Sequence, residues 1–315
     1  MKKIGGFLEL EILKGNNLFH KDAYPLSTGR ACINFILKRI KPNKLFIPYY
    51  TCDAIFEPIL LNKIDFEYYP LNQNLEPADI QLKKNEYLFF INYFGIKRQV
   101  VHSLINKYGK KLIIDDTQGF FEKGYTGIWS FNSARKFFGV PDGAYLYSPQ
   151  SFDDDFPRNN STKYDHLIQR LIGNQEIAYQ NFLESEKILN SDILKISLFS
   201  EKLLSRINYK KVADIRIENF NYLHQNLRDF NKFKIPKNLI SVPLCYPFIP
   251  IKKIAKSTLH QKGLFIPSFW DRTISVLNKG FEFEKKLADN LLPLPVDQRY
   301  SIKEMRIVKN IIKNE

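Results

Sequence analysis

The first half of the chain alternates short apolar runs with segments whose apolar positions recur every three or four residues. The runs Lys44–Pro48, Phe66–Leu71, Tyr87–Asn92, Lys111–Asp115, Gly127–Phe131 and Gly143–Ser148 read as strands. Several are nearly unbroken, as expected of strands covered on both faces. Between them, Arg30–Ile40, Cys52–Leu61 and Val100–Tyr108 read as helices, the first with Ala31, Phe35 and Ile36 on one face. Strand–helix–strand alternation implies right-handed crossovers and a doubly wound, mostly parallel sheet. Ligands bind such sheets beyond the carboxyl ends of the strands, so the residues that follow each strand carry the chemical interest.

The second half has a different rhythm. Residues 151–160 are polar and turn-rich and read as a loop. From about Tyr164 to Phe233 the pattern is helical with few breaks. Pro236 and Pro243 open a last section with a strand near Ser241–Pro247, a helix near Lys252–Gln261 and a short strand near Leu264–Pro267. A helix from Phe283, the run Leu291–Pro295 and a terminal helix from Ile302 complete it. The expected organisation is a large α/β domain over 1–235, with a helical connection from about 160, and a small α+β domain over 236–315.

Composition narrows the functional classes. Hydrophobic residues make up 44% of the 315, enough for a sizeable core. Glu9, Glu11 and Lys14 interrupt the segment after the two N-terminal lysines. Neither a cleavable signal nor a run of about 18 apolar residues is visible, which points to a cytoplasmic protein without a membrane span. Cys32, Cys52 and Cys245 lie far apart and the five histidines are scattered, so no disulfide framework or metal site is expected. The net charge of +14 is spread along the chain, with no compact basic arm for nucleic acid. A diffuse positive field instead favours an anionic small molecule.

Four segments could carry chemistry. Ser27-Thr28-Gly29-Arg30-Ala31 opens the first strong helix. Free N–H groups and the positive end of the helix dipole suit a phosphate there, and Gly29 permits close approach; an ordinary N-cap explains the same residues. Ile114-Asp115-Asp116-Thr117-Gln118 ends an apolar strand. Carboxylates there are costly unless paired or used. One beside a pyridine nitrogen would keep it protonated; a strand-end Asx turn is the alternative. Ser130-Phe131-Asn132-Ser133-Ala134-Arg135-Lys136 follows the next strand. A lysine in a partly apolar strand-end site suits Schiff-base chemistry, which needs a neutral amine; a surface Arg-Lys pair is the alternative. Pro48-Tyr49-Tyr50-Thr51-Cys52 could flank a planar ring or simply pack the core.

In order and spacing these segments resemble the sugar aminotransferases of the DegT/DnrJ/EryC1/StrS group, which depend on pyridoxal phosphate (PLP). The likeness is carried by IPYYTCDA at 47–54, Asn92-Tyr93-Phe94-Gly95, IIDDTQG at 113–119, SFNSARKFFGVPDGA at 130–144 and LLPLP at 291–295. It covers 25–148 well and the last 80 or so residues loosely. It implies an α/β protein of PLP-dependent transferase fold type I, aspartate-aminotransferase-like, with pyridoxal 5'-phosphate as cofactor. Asp115 would meet the pyridine nitrogen and Gln118 the phenolic oxygen. Gly29, Arg30 and Ser130 would hold phosphate, Cys52 would occupy a ring-flanking position, and Lys136 would anchor the cofactor and shuttle the proton. The group also implies glutamate as amino donor, an anionic nucleotide-linked keto sugar as acceptor in surface polysaccharide synthesis, and a homodimer.

Two alternatives stay open: a noncatalytic paralogue acting as a binding or assembly subunit, and a PLP enzyme of another type, a dehydratase or lyase. Counting forward from Ser130, the group's lysine falls on Arg135; counting back from Asp142, it falls on Lys136. Gly173-Asn174 is the candidate for the group's Gly-x-Asn-x-Arg stretch.

Overall fold

The structure, a computed structural model, describes residues 10, 15–236, 240–270 and 279–315. Its centre is a seven-stranded sheet in the order β1-β7-β6-β5-β4-β2-β3. The strands are β1 (Tyr24–Leu26), β2 (Lys44–Pro48), β3 (Asp65–Tyr69), β4 (Glu86–Ile91), β5 (Leu112–Asp116), β6 (Trp129–Ser133) and β7 (Ala144–Tyr147). β2 to β6 run parallel; β7 returns antiparallel beside β6, and β1 pairs antiparallel with β7. Leu88, Phe89, Phe90 and Ile91 of β4 and Leu112, Ile113 and Ile114 of β5 are all buried. That is the burial on both faces which their unbroken apolar runs require.

The crossovers are α1 (Gly29–Ile40), α2 (Phe56–Leu61) and α3 (Arg98–Tyr108). α1 begins where Thr28 Oγ1 accepts from the Ala31 N–H at 3.0 Å, and it buries Ala31, Cys32, Phe35 and Ile36. Each of the six expected strands is present within two residues of its expected bounds. β1 was not expected: three residues including Pro25 carry no alternation, and its pairing with β7 is long-range.

The helical stretch after residue 164 is more broken than its pattern implied. It forms α4 (Asp165–Leu171), α5 (Gln175–Lys187), α6 (Leu198–Leu204) and α7 (Tyr209–Leu227). A smaller layer follows, in which β8 (Cys245–Phe248) pairs antiparallel with β9 (Leu292–Pro295). It also holds α8 (Lys256–Gln261), α9 (Glu282–Asn290) and α10 (Ile302–Lys313). Leu264–Pro267 is not a strand; Leu264 and Ile266 are buried in irregular chain. α10 packs on α7. One apolar cluster runs through both layers, from Phe90 and Phe94 to Tyr246, Leu292 and Met305. Among the described residues, no helix is long and apolar enough to cross a membrane.

The turn after β6 is fastened from below. Asp142, fully buried, accepts hydrogen bonds from Ser197 N at 2.8 Å, Ser197 Oγ at 2.6 Å, Asn159 Nδ2 at 3.0 Å and from the Ser200 hydroxyl. Asp142→Ala strands these donors in the interior and is expected to cost about 3 kcal/mol. Urea unfolding should show a lower midpoint at unchanged slope.

Candidate active site

A cleft of about 140 Å³ opens at the carboxyl ends of the parallel strands. Gly29, Arg30, Cys52, Asp115, Gln118 and Lys136 all line it. These are all the site residues nominated from sequence except Ser130.

Asp115 stands at the end of β5, and its Oδ1 accepts from the Thr117 N–H at 2.8 Å. Burial pushes its carboxyl up to about 6, against the opposing pull of the Thr117 hydrogen bonds and the Lys136 charge. The Lys136 charge is the smallest of these pulls, and acid and amine line the same cleft. Strand alternation turns the neighbouring Asp116 to the opposite face, where it accepts from Asn92 Nδ2 at 2.8 Å. Burial and the Glu122 charge hold Asp116 well above the usual carboxylate range.

The Gln118 amide oxygen accepts from the Phe94 N–H at 2.6 Å. Gly95 makes this possible: its φ is +68°, and a Cβ there would collide with the Gln118 carbonyl oxygen. The Gly29 and Arg30 N–H groups, at the start of α1 beside Thr117, have no intrahelical acceptor. The Arg30 side chain leans toward Glu57, Nε to Oε2 3.7 Å. Cys52 is exposed at the rim. Tyr49 and Tyr50 are buried: Tyr49 stacks on Phe281 at 4.1 Å, and Tyr50 meets Trp270 edge-on at 4.4 Å.

Ser130 stands apart from the other nominated residues. In β6 it is Phe131 and Ser133 that line the cleft, whereas Ser130 is fully buried away from it. It shares the opposite face with Asn132, whose Nδ2 lies 3.2 Å from His20 Nε2. Burial pushes that histidine down to about 3, so it is neutral. Ser133 is the β6 hydroxyl at the cleft. Gly173-Asn174 forms the turn between α4 and α5 and lines neither this cleft nor the cavity beside it.

Arg135 and Lys136 occupy the 3-10 turn directly after β6, and both line the cleft. The Arg135 guanidinium pairs with Glu186 of α5, while Lys136 is exposed to the cleft's solvent. The next carbonyl, of Phe137, is clamped from two sides. Gln298 Nε2 donates to it at 2.7 Å and Arg216 Nη2 at 3.4 Å. Arg216 is itself 2% exposed and also donates to the Leu244 carbonyl at 3.1 Å and to Gln298 Oε1 at 2.9 Å. A second, larger cavity of about 710 Å³ adjoins the cleft through Arg135, Lys136, Glu186, Leu244 and Phe269. Arg170, Lys262, Arg299 and Tyr300 also line it.

Sequence reasoning missed Glu186, Trp270, Phe269 and Ser133. The first three come from distant segments with no pattern of their own. Ser133 was within reach, because residues two apart in a strand share a face.

No family profile matches the chain, and no curated protein matches it in sequence. Solved structures do match. The fold is that of PLP-dependent transferases of type I, a mostly parallel seven-stranded sheet flanked by helices. Within that class, the chain is similar to the sugar aminotransferase CalS13 from Micromonospora echinospora, with TM-score 0.65, 14% identity and coverage of 93% of this chain and 87% of that one. The aminotransferase TlmJ from Streptoalloteichus hindustanus gives 0.65, 13%, 96% and 91%. A GDP-4-keto-6-deoxymannose-3-dehydratase trapped with a PLP-glutamate geminal diamine gives 0.63, 12%, 93% and 88%. Likeness at this identity establishes the fold alone.

The Asp115 carboxyl rises from its ordinary 3.8 to about 6 on folding. Between those values the folded chain holds a proton that the unfolded chain has lost, so stability falls as pH rises through this window. Asp115→Asn removes that penalty. The variant is expected to be more stable than the parent by roughly 2–3 kcal/mol at pH 8. The advantage should vanish near pH 3, as read by urea unfolding at both values.

Proposed function

We propose that this chain is a PLP-dependent aminotransferase acting on a nucleotide-linked keto sugar for surface polysaccharide, with glutamate as amino donor. The observation that carries the reading is the meeting of Asp115 and Lys136 in one cleft at the carboxyl edge of a type I sheet. The cleft's residues fit the cofactor at three points. A half-buried acid with a raised pKa suits a pyridine nitrogen, whose positive charge would restore its ionisation. A helix start with unaccepted N–H groups suits a phosphate, with the Ser133 hydroxyl on the same cleft wall. An exposed amine suits the aldehyde.

When bound, pyridoxal phosphate supplies a ring that draws electrons from the substrate's α-carbon. Asp115 would hold the proton on the ring nitrogen and Gln118 would sit beside the phenolic oxygen. Gly29 and Arg30 would bind phosphate through the helix start. Lys136 Nζ would take the proton from the donor's Cα and return it to the opposite end of the reacting system. Trp270 and Phe269, on the cleft wall, would limit access of water. The adjoining cavity, with Arg170 on its lining, supports an anionic acceptor. A homodimer is part of this reading. The α4–α5 hairpin leaves Leu171, Ile172, Ile177 and Tyr179 exposed, a surface a second copy would cover.

One observation favours a second reading, a noncatalytic binding subunit on the same fold. The Phe131 ring is 1% exposed and packs beside Gly29, at the end of the cleft meant for phosphate.

Cofactor addition separates the two. On the aminotransferase reading the purified protein turns yellow with PLP, and borohydride followed by peptide mapping finds the label on Lys136. Lys136→Ala abolishes the colour and Arg135→Gln keeps it. Asp115→Ala slows the half-reaction with glutamate by roughly a hundredfold or more. A protein that stays colourless at millimolar PLP overturns the aminotransferase reading and favours the binding subunit.

A further inference from the structure

We infer that Arg135 is a carboxylate-anchoring residue of the large cavity, and that Glu186 holds its place until a substrate carboxylate arrives. Naming that carboxylate as the amino donor's rests on the aminotransferase reading; the anchoring itself does not.

The pair stands at the junction of the two cavities and lines both. Its members are unequally held. The Arg135 side chain is 15% exposed and rooted in the turn after β6, whereas Glu186 is 36% exposed and sits in the last turn of α5. Glu186 is therefore the partner free to swing out. The contact is also incomplete: Glu186 takes an N–H on Nη2, while Arg135 Nε is buried with no acceptor. A guanidinium presents its N–H groups as a planar fork that a carboxylate can fill with two parallel bonds. A partner that uses one tine leaves the other unsatisfied.

His166 adds a second unfilled valence at the same place. It is 7% exposed, its Nδ1 has no partner, and it feels the charges of both Arg135 and Glu186. If Glu186 left without replacement, Arg135 would be a half-buried, uncompensated cation, so an anion must follow it. The cavity beyond has room for one and presents Arg170 on its wall.

Glutarate, a dicarboxylate with no amino group to react, tests this by isothermal titration on the protein as purified and again after PLP loading. Glu186→Gln removes the resident anion but keeps the side-chain size. It is expected to bind glutarate about tenfold more tightly than the parent, and Arg135→Gln at least tenfold more weakly than the parent. Circular dichroism checks that the Arg135 variant is folded; should it not be, the Glu186 arm decides alone. No tightening in Glu186→Gln, or parental affinity in folded Arg135→Gln, overturns the assignment. Absence of glutarate binding to every variant overturns it as well. If the glutarate pattern holds in a protein that never takes up PLP, the anchor stands and the aminotransferase reading falls. If the protein turns yellow with PLP but lacks the glutarate pattern, the anchor falls and the aminotransferase reading stands.

Discussion

A carboxylate kept at the end of a strand buried on both sides is the constraint on which this site depends. β5 delivers Asp115 into the cleft after three residues with no access to water, and the acid rises to about 6 for lack of solvation. The Thr117 hydrogen bonds relieve that in part, and Lys136, on the turn after the neighbouring strand, adds a positive charge. Helix start, acid and amine converge although they come from three separate parts of the chain.

The fold was readable wherever apolar runs were long. β2 has its expected bounds, and β4 and β5 are displaced by one residue. Reading failed where structure depends on distant partners. β1 exists because β7 offers it an edge, and nothing within Tyr24–Leu26 announces that. Leu264–Pro267 has a strand's composition and a buried Leu264 and Ile266, yet finds no ladder to join. At the site, motif spacing nominated Ser130, but strand parity decides which hydroxyl reaches the cleft, and it selects Ser133. Glu186 could not have been nominated: it lies on a mostly exposed helix 51 residues beyond Arg135.

The two register counts for the group's lysine lead to side chains in different surroundings. Both side chains border the same space, yet Arg135 is committed to Glu186, and Lys136 is left open to the cleft and electrostatically coupled to Asp115. An extra residue in the turn thus need not displace the amine. It inserts a fixed positive charge between amine and strand, on the side that faces the larger cavity.

Arg216 gives the C-terminal third of the chain a hold on this turn. One guanidinium grips the backbone of Phe137 in the large layer, that of Leu244 at the entry to β8, and the Gln298 side chain after β9. Burial lowers its pKa to about 10, so it remains charged at any physiological pH and the grip does not loosen with acidity. A shift of the backbone at Leu244 or Gln298 is thereby not local: it is felt at the Phe137 carbonyl, one residue beyond Lys136. The smaller layer works as the calibrating jaw of a gauge whose fixed jaw is the end of β6.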